Sequence, residues 1–123
     1  MRYWIGVVSR EHVFRGTSGK FSQLCHGKKG LLGRMSSGDG LIYYSPSEHM
    51  GEAGSCQRFT AIGQVLDDDA HPVEIGNETL YRRSIDFLPC REIPIRPMIE
   101  HLTFIRNKQR WGTAFWFGHL EIA

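Results

Sequence analysis

The chain has 123 residues, 41% of them hydrophobic and 23% charged, with a net charge of +2. That is material for one packed core and one domain over residues 1–123, and no apolar run approaches the ~20 residues that span a bilayer. The three cysteines, Cys25, Cys56 and Cys90, lack a CxxC spacing; they point away from a disulfide framework and toward a reducing, cytoplasmic setting.

In chain order, Tyr3 to Val8 reads as a buried strand, aromatic and β-branched. Ser9-Arg10-Glu11-His12 is placed to cap a short helical turn through Arg15, ended by Gly16. Phe21 to Cys25 reads as a short edge segment and Leu31 to Met35 as a helical turn. Ser37-Gly38-Asp39-Gly40 is a turn by its chemistry, since glycine accepts positive φ and aspartate caps its own backbone. It opens a strand-like run, Leu41 to Pro46, that Pro46 stops because proline cannot donate to a ladder. The next strand, Phe59 to Leu66, ends in Asp67-Asp68-Asp69.

Pro72 to Ile75 and Tyr81 to Leu88 flank Gly76-Asn77-Glu78-Thr79, a short-loop hairpin signal. Pro97 suits the first turn of a helix carrying Met98, Ile99, Leu102 and Ile105 at helical spacing. Phe115 to Ile122 reads as the last strand. The order predicts an α+β, mostly β chain: a curved antiparallel β-barrel with a few short helices, with Trp4, Ile62 and Phe87 turned inward. No repeat or linker interrupts it.

Catalytic signatures are missing: there is no GxSxG, P-loop, GxGxxG or HExxH. Cys25-His26 are adjacent, and neighbours in an extended segment face opposite sides, which favours a structural or ligand-lining role over a thiol–base pair. Six histidines and three cysteines show no zinc-site spacing. The reading is of a binder, not an enzyme, with no cofactor and no metal.

A base-binding pocket needs flat apolar walls and a few donors and acceptors at its edge. Most of the fourteen aromatic residues are core material, but Tyr44 and Tyr81 sit at strand ends beside polar neighbours. The tip Tyr44-Ser45-Pro46 marks that end of the sheet as the place for a site.

Charge is uneven. Met1 to Arg34 holds seven basic residues against one acid, Glu48 to Glu78 seven acids against Arg58, and Arg82 to Arg110 seven basic residues against three acids. If the fold unites the basic blocks, Lys28, Lys29, Arg34, Arg82, Arg83, Arg106, Lys108 and Arg110 form a rim that holds phosphates around a flipped-out base.

Arg2 to His12, Gly38 to Pro46, Phe59 to Gly63, Tyr81-Arg82-Arg83, Trp111-Gly112 and Phe115 to Gly118 resemble, in order, the EVE domain. The resemblance implies a barrel of the PUA-like superfamily, related to the YTH readers of methylated adenine. It makes Ser9 the counterpart of a serine that ends the first strand in YTH domains, with Val8 in place of their preceding lysine. The segment Phe21 to Lys28 matches the one that gives those relatives a cage tryptophan and has none, so Gln23 and His26 are expected to bond a base edge instead. Tyr81 stands where a second cage wall lies.

Together these features predict a domain that binds RNA, DNA or a nucleotide, around a base that carries a modification or none. Tyr44 and Tyr81 stack on the base, and Ser9, Gln23, His26 and Ser45 read its edge. The rival functions are a small ASCH-type enzyme acting on a modified nucleoside and a protein-interaction module docking through the acidic stretch.

Overall fold

A computed structural model describes residues 1–23, 29–51, 54–115 and 118–122. The elements are β1 (Tyr3–Val7), α1 (Arg10–Gly19), β2 (Phe21–Ser22), α2 (Lys29–Leu32), β3 (Gly40–Ser45), β4 (Arg58–Val65), β5 (His71–Ile75), β6 (Glu78–Leu88), β7 (Ile93–Pro94) and β8 (His119–Ile122). Two 3-10 helices, Arg96–His101 and Trp111–Phe115, lie between β7 and β8. Strands run in the order β2-β6-β4-β3-β1-β8, with β5 on β6 and β7 on β4.

The mostly-β expectation holds, but the sheet is mixed and open rather than an antiparallel barrel. β1 and β3 pair in parallel, Ile5 opposite Ile42. A parallel pair cannot be joined by a hairpin; it needs a crossover, which α1, β2 and α2 supply. Among the described residues β2 and β8 stand at the two ends of the strand path and do not pair with each other.

The crossover explains why β1 and β3 read as nearly continuous apolar runs: both faces of the sheet are covered. Trp4, Leu41, Tyr43, Val65 and Ile85 point to one face, where Val13 of α1 and Leu32 and Met35 close the core. Ile5 and Tyr44 point to the other, under Ile95, Ile99, Ile105 and Phe115. Ile62 departs from the expectation: it pairs with Ile42 and Leu88 and remains 37% exposed. Phe87 is partly buried against the first core, as expected.

α1 runs past Gly16 to Gly19 and ends on Lys20 in the left-handed conformation. Gly16 is instead a point of close approach, since a Cβ there would meet the Phe21 carbonyl oxygen at 2.7 Å. The Gly76–Asn77 turn joins β5 to β6, with Gly76 at φ 62°. At the start of β3, the buried Asp39 carboxylate accepts from the Arg2 and Ser36 backbone N–H groups and the Trp4 indole N–H. Burial works to raise its pKa, and these donors overcome it and hold the carboxyl below its usual value.

At the β8 edge, His119 stacks on Trp4 with ring centroids 4.9 Å apart. It is buried, and neither ring nitrogen has a hydrogen-bond partner among the described residues. Burial first, then the Arg34 charge, lowers its pKa to about 4. Unfolded, the same imidazole titrates near 6.5, so the unfolded chain binds the extra proton. This stability is complete above pH 6.5 and disappears as pH falls toward 4, an expected loss of about 3 kcal/mol. Urea unfolding at pH 7 and pH 4 should show that loss in the parent chain beyond whatever His119→Phe shows. Equal pH dependence in the two proteins would refute the assignment.

Candidate functional site

The end of the sheet at which β1 and β3 finish is built from small hydroxyl residues. Val8 donates its backbone N–H to the Tyr44 carbonyl, and Arg10 and Glu11 donate theirs to Ser47 and Glu48. Ser9 caps α1, its Oγ accepting from the His12 N–H at 3.4 Å. The opening N–H groups of α1 are therefore all used and leave no vacant anion site at the helix start. Beneath, the Tyr43 hydroxyl donates to Ser22 Oγ, and the hydroxyls of Ser45 and Thr60 lie 2.8 Å apart, all four residues buried. Burial pushes the Tyr43 phenol well above its ordinary range, so it stays a proton donor.

From this floor a chain of contacts crosses to β6. His12 Nε2 lies 2.6 Å from the Gln23 carbonyl oxygen, tying α1 to the residue after β2. The Gln23 side-chain oxygen accepts from Arg82 Nε at 2.9 Å, and the Arg82 guanidinium carbon lies 3.8 Å from the Phe21 ring centroid. Tyr81, half-buried, packs against the first core, on the face of β6 opposite to Arg82. Ser9, Gln23 and Arg82 are thus linked through His12.

Other expected site residues fall elsewhere. Tyr44 is fully buried on the opposite face from Tyr43 and Tyr81, stacked on Phe115 at 4.3 Å. It cannot share a base with Tyr81, because adjacent residues of a strand project to opposite faces. Ser45 is buried and engaged with Thr60, so it does not present a free edge. His26 and Lys28, and the side chain of Lys29, lie outside the described residues.

Arg83 is not part of a rim. It is 0% exposed, its Nε donating to Asp67 Oδ1 at 2.6 Å and its terminal nitrogens to the carbonyls of Leu32, Met35 and Asp67. Alternation along β6, which turns Ile85 inward, was the signal in the sequence. Burial works to raise the Asp67 pKa, but the Arg83 guanidinium and the Ser84 N–H hold it below the usual value.

Among the described residues the remaining basic side chains do not converge on one rim. Arg34 is exposed, 5.0 Å from the Trp4 ring centroid near the first core. Arg106, Lys108 and Arg110 follow Ile105 on the second face. Lys108 Nζ donates to the carbonyls of Ile99 and Leu102 at 3.1 and 2.7 Å, capping the first 3-10 helix. Arg106 borders a shallow groove of about 400 Å³ with Phe104 and Leu120. Among the described residues no three His, Cys, Asp or Glu side chains are grouped to hold a metal, and no helix is long and apolar enough to cross a membrane.

The family model described as EVE domain matches residues 2–122. The chain belongs to the EVE domain family. The UPF0310 protein in gntR 5'region of Bacillus licheniformis is 50% identical over 117 residues, covering 94% of this chain and 80% of that protein. The UPF0310 protein YdcG of Bacillus subtilis is 43% identical over 122 residues, covering 98% and 84%. Among solved structures, a YTH domain-containing protein mmi1 in complex with RNA superposes with a TM-score of 0.56 at 10% identity, over 85% of this chain and 66% of that one. Rpa0253 from Rhodopseudomonas palustris superposes with a TM-score of 0.57 at 13% identity, over 100% and 86%. At these identities the likeness to the solved structures is one of fold, and this EVE domain shares that fold as an open mixed sheet.

Removing one partner of a buried ion pair strands the other, so Asp67→Ala should destabilise this EVE domain by about 3–5 kcal/mol in urea unfolding. A loss under about 1 kcal/mol would mean that the carbonyls of Leu32, Met35 and Asp67 alone satisfy Arg83.

Proposed function

We propose that this EVE domain binds nucleic acid, holding a backbone phosphate on Arg82 and taking a base beside Tyr81, which projects from the other face of β6. The observation that carries the reading is the Arg82 guanidinium, laid on the Phe21 ring and held through Nε by the Gln23 amide oxygen. Among the described residues its terminal nitrogens have no partner and no carboxylate lies within ion-pair distance. A guanidinium fixed in this way is a ready bidentate donor to a phosphate.

The other groups suit a base edge. With the Gln23 oxygen committed to Arg82, its amide nitrogen keeps two donors. Ser9 Oγ accepts from His12 yet retains its own proton to donate. Tyr81 offers a ring for stacking. The solved YTH structure in complex with RNA has the same fold and supports RNA as the polymer. Recognition of a modified base extends the reading: the Gln23 amide nitrogen and the Ser9 hydroxyl suit a base whose edge carries an added acceptor. The domain acts as a reader, releasing its ligand unchanged.

The test is anisotropy titration of single-stranded oligonucleotides, modified and unmodified, at two salt concentrations. Affinity should fall with salt as phosphate contacts release counterions. Arg82→Gln should weaken all sequences alike, and Tyr81→Ala should remove about 1–3 kcal/mol specifically from the preferred base. Absence of binding to every oligonucleotide at low salt would end this reading, and chemical alteration of the ligand would replace it with an enzymatic one.

A further inference from the structure

The build that fixes Arg82 occurs a second time. Arg96, exposed at the first residue of its 3-10 helix, donates Nε to the side-chain oxygen of Gln57 at 2.8 Å. Its guanidinium carbon lies 5.5 Å from the ring centroid of the half-buried Trp111. In both places an amide oxygen orients the guanidinium without cancelling its charge. Elsewhere the chain neutralises a fixed arginine: Arg10 places Nε and a terminal nitrogen on Glu92 at 2.9 and 2.7 Å and leans on Glu48 at 3.4 Å. Arg96 has no carboxylate within ion-pair distance among the described residues, and its terminal nitrogens are unpartnered there.

The support under Arg96 is rigid. Gln57 sits at φ 57°, in the left-handed region that few side-chain-bearing residues adopt. Its N–H donates to the Pro46 carbonyl and its carbonyl accepts from Ile95, each bond close to 3 Å, at 3.2 and 3.0 Å. The strained residue is thereby clamped between the exit of β3 and the residue before Arg96. Trp111 is in turn held edge-on by Tyr44 and Phe115, at 6.4 and 6.5 Å. A long, rotamer-rich side chain fixed on two sides, with its charge uncompensated and its donors outward, is preorganised for an anion.

We propose that Arg96, set by Gln57 and Trp111, is a second anion-binding position that takes a phosphate group. Gln57 directly precedes β4 and so lies at the same end of the sheet as Ser9, but on the Tyr44 face. The phosphate is either one link of a polynucleotide whose base enters beside Tyr81, which rests on the reading above, or part of a free phosphorylated ligand, which does not.

Both sources are tested by following the Arg96 Nε–Hε and Trp111 indole N–H signals by NMR. Inorganic pyrophosphate is titrated against sodium chloride of matched ionic strength, then a single-stranded oligonucleotide is added to fresh protein. Pyrophosphate should shift both signals where chloride does not, and Arg96→Gln should abolish the Trp111 response. Gln57→Ala should weaken the response several-fold while the fold persists. With the oligonucleotide, Arg96→Gln should flatten the dependence of log Kd on log salt by about 0.7 and leave base preference intact, whereas Tyr81→Ala should do the reverse. Response to pyrophosphate without oligonucleotide binding keeps this site, assigns it a free phosphorylated ligand and removes the nucleic-acid reading. Signals that respond equally to chloride, or an unchanged response in Arg96→Gln, overturn the proposal.

Discussion

A guanidinium with no access to solvent ties the first face together. Arg83 projects inward from β6 and satisfies the carbonyls of Leu32 and Met35 at the end of α2 and both the carboxylate and carbonyl of Asp67. The same residue pairs through its backbone with Ser22 of β2. Within the crossover, β2 and the end of α2 are therefore both referred to one position on β6. Desolvating an arginine is costly and is offset only when nearly every donor finds an acceptor. That requirement fixes α2, the Asp67 turn and β6 relative to one another more tightly than apolar contact, which tolerates sliding.

Burial of both sheet faces is the second constraint, and it governs where a ligand can be met. With Trp4, Leu41 and Tyr43 on one face and Ile5 and Tyr44 on the other, neither face of β1 or β3 is open along its length. Polar side chains are left to the strand ends, where Ser9, Ser45 and Gln57 lie, and to the part of β6 beyond the reach of β4, where Arg82 lies. The β-bulge between Tyr43 and Tyr44 leaves Thr60 opposite neither, which brings its hydroxyl to Ser45.

Positive charge alone does not distinguish the basic residues; their partners do. Arg10 is spent on Glu92 and Glu48, Arg83 on Asp67, and Lys108 on helix carbonyls. The hydrogen bond from Arg10 is the chief cause that depresses the Glu92 pKa, and Arg10 itself is pushed up, so that pair is a closed unit at neutral pH. Arg82 and Arg96 are oriented by glutamines instead, and a neutral acceptor leaves a full charge available to an anion.

The sequence by itself determined the local structure and the family. Gly38 and Asp39 dictate the turn before β3, Gly76-Asn77 the tight β5–β6 connection, and Pro97 the start of a helical turn, because each acts through backbone conformation over a few residues. The ordered match from Arg2 to Gly118 carried the family resemblance without any tertiary information. Alternation along β6 already held the inward direction of Arg83, obscured by the expectation that a charged residue faces solvent. Only the tertiary structure decided the parallel pairing of β1 with β3, the open sheet and the separation of Tyr44 from Tyr81 by the thickness of the sheet. It alone also set which arginine meets which acceptor, since Gln23 lies 59 residues from Arg82 and Gln57 lies 39 from Arg96. Pairings of that kind come from chain crossovers, and a crossover is chosen by the packing of the whole core rather than by any segment of it.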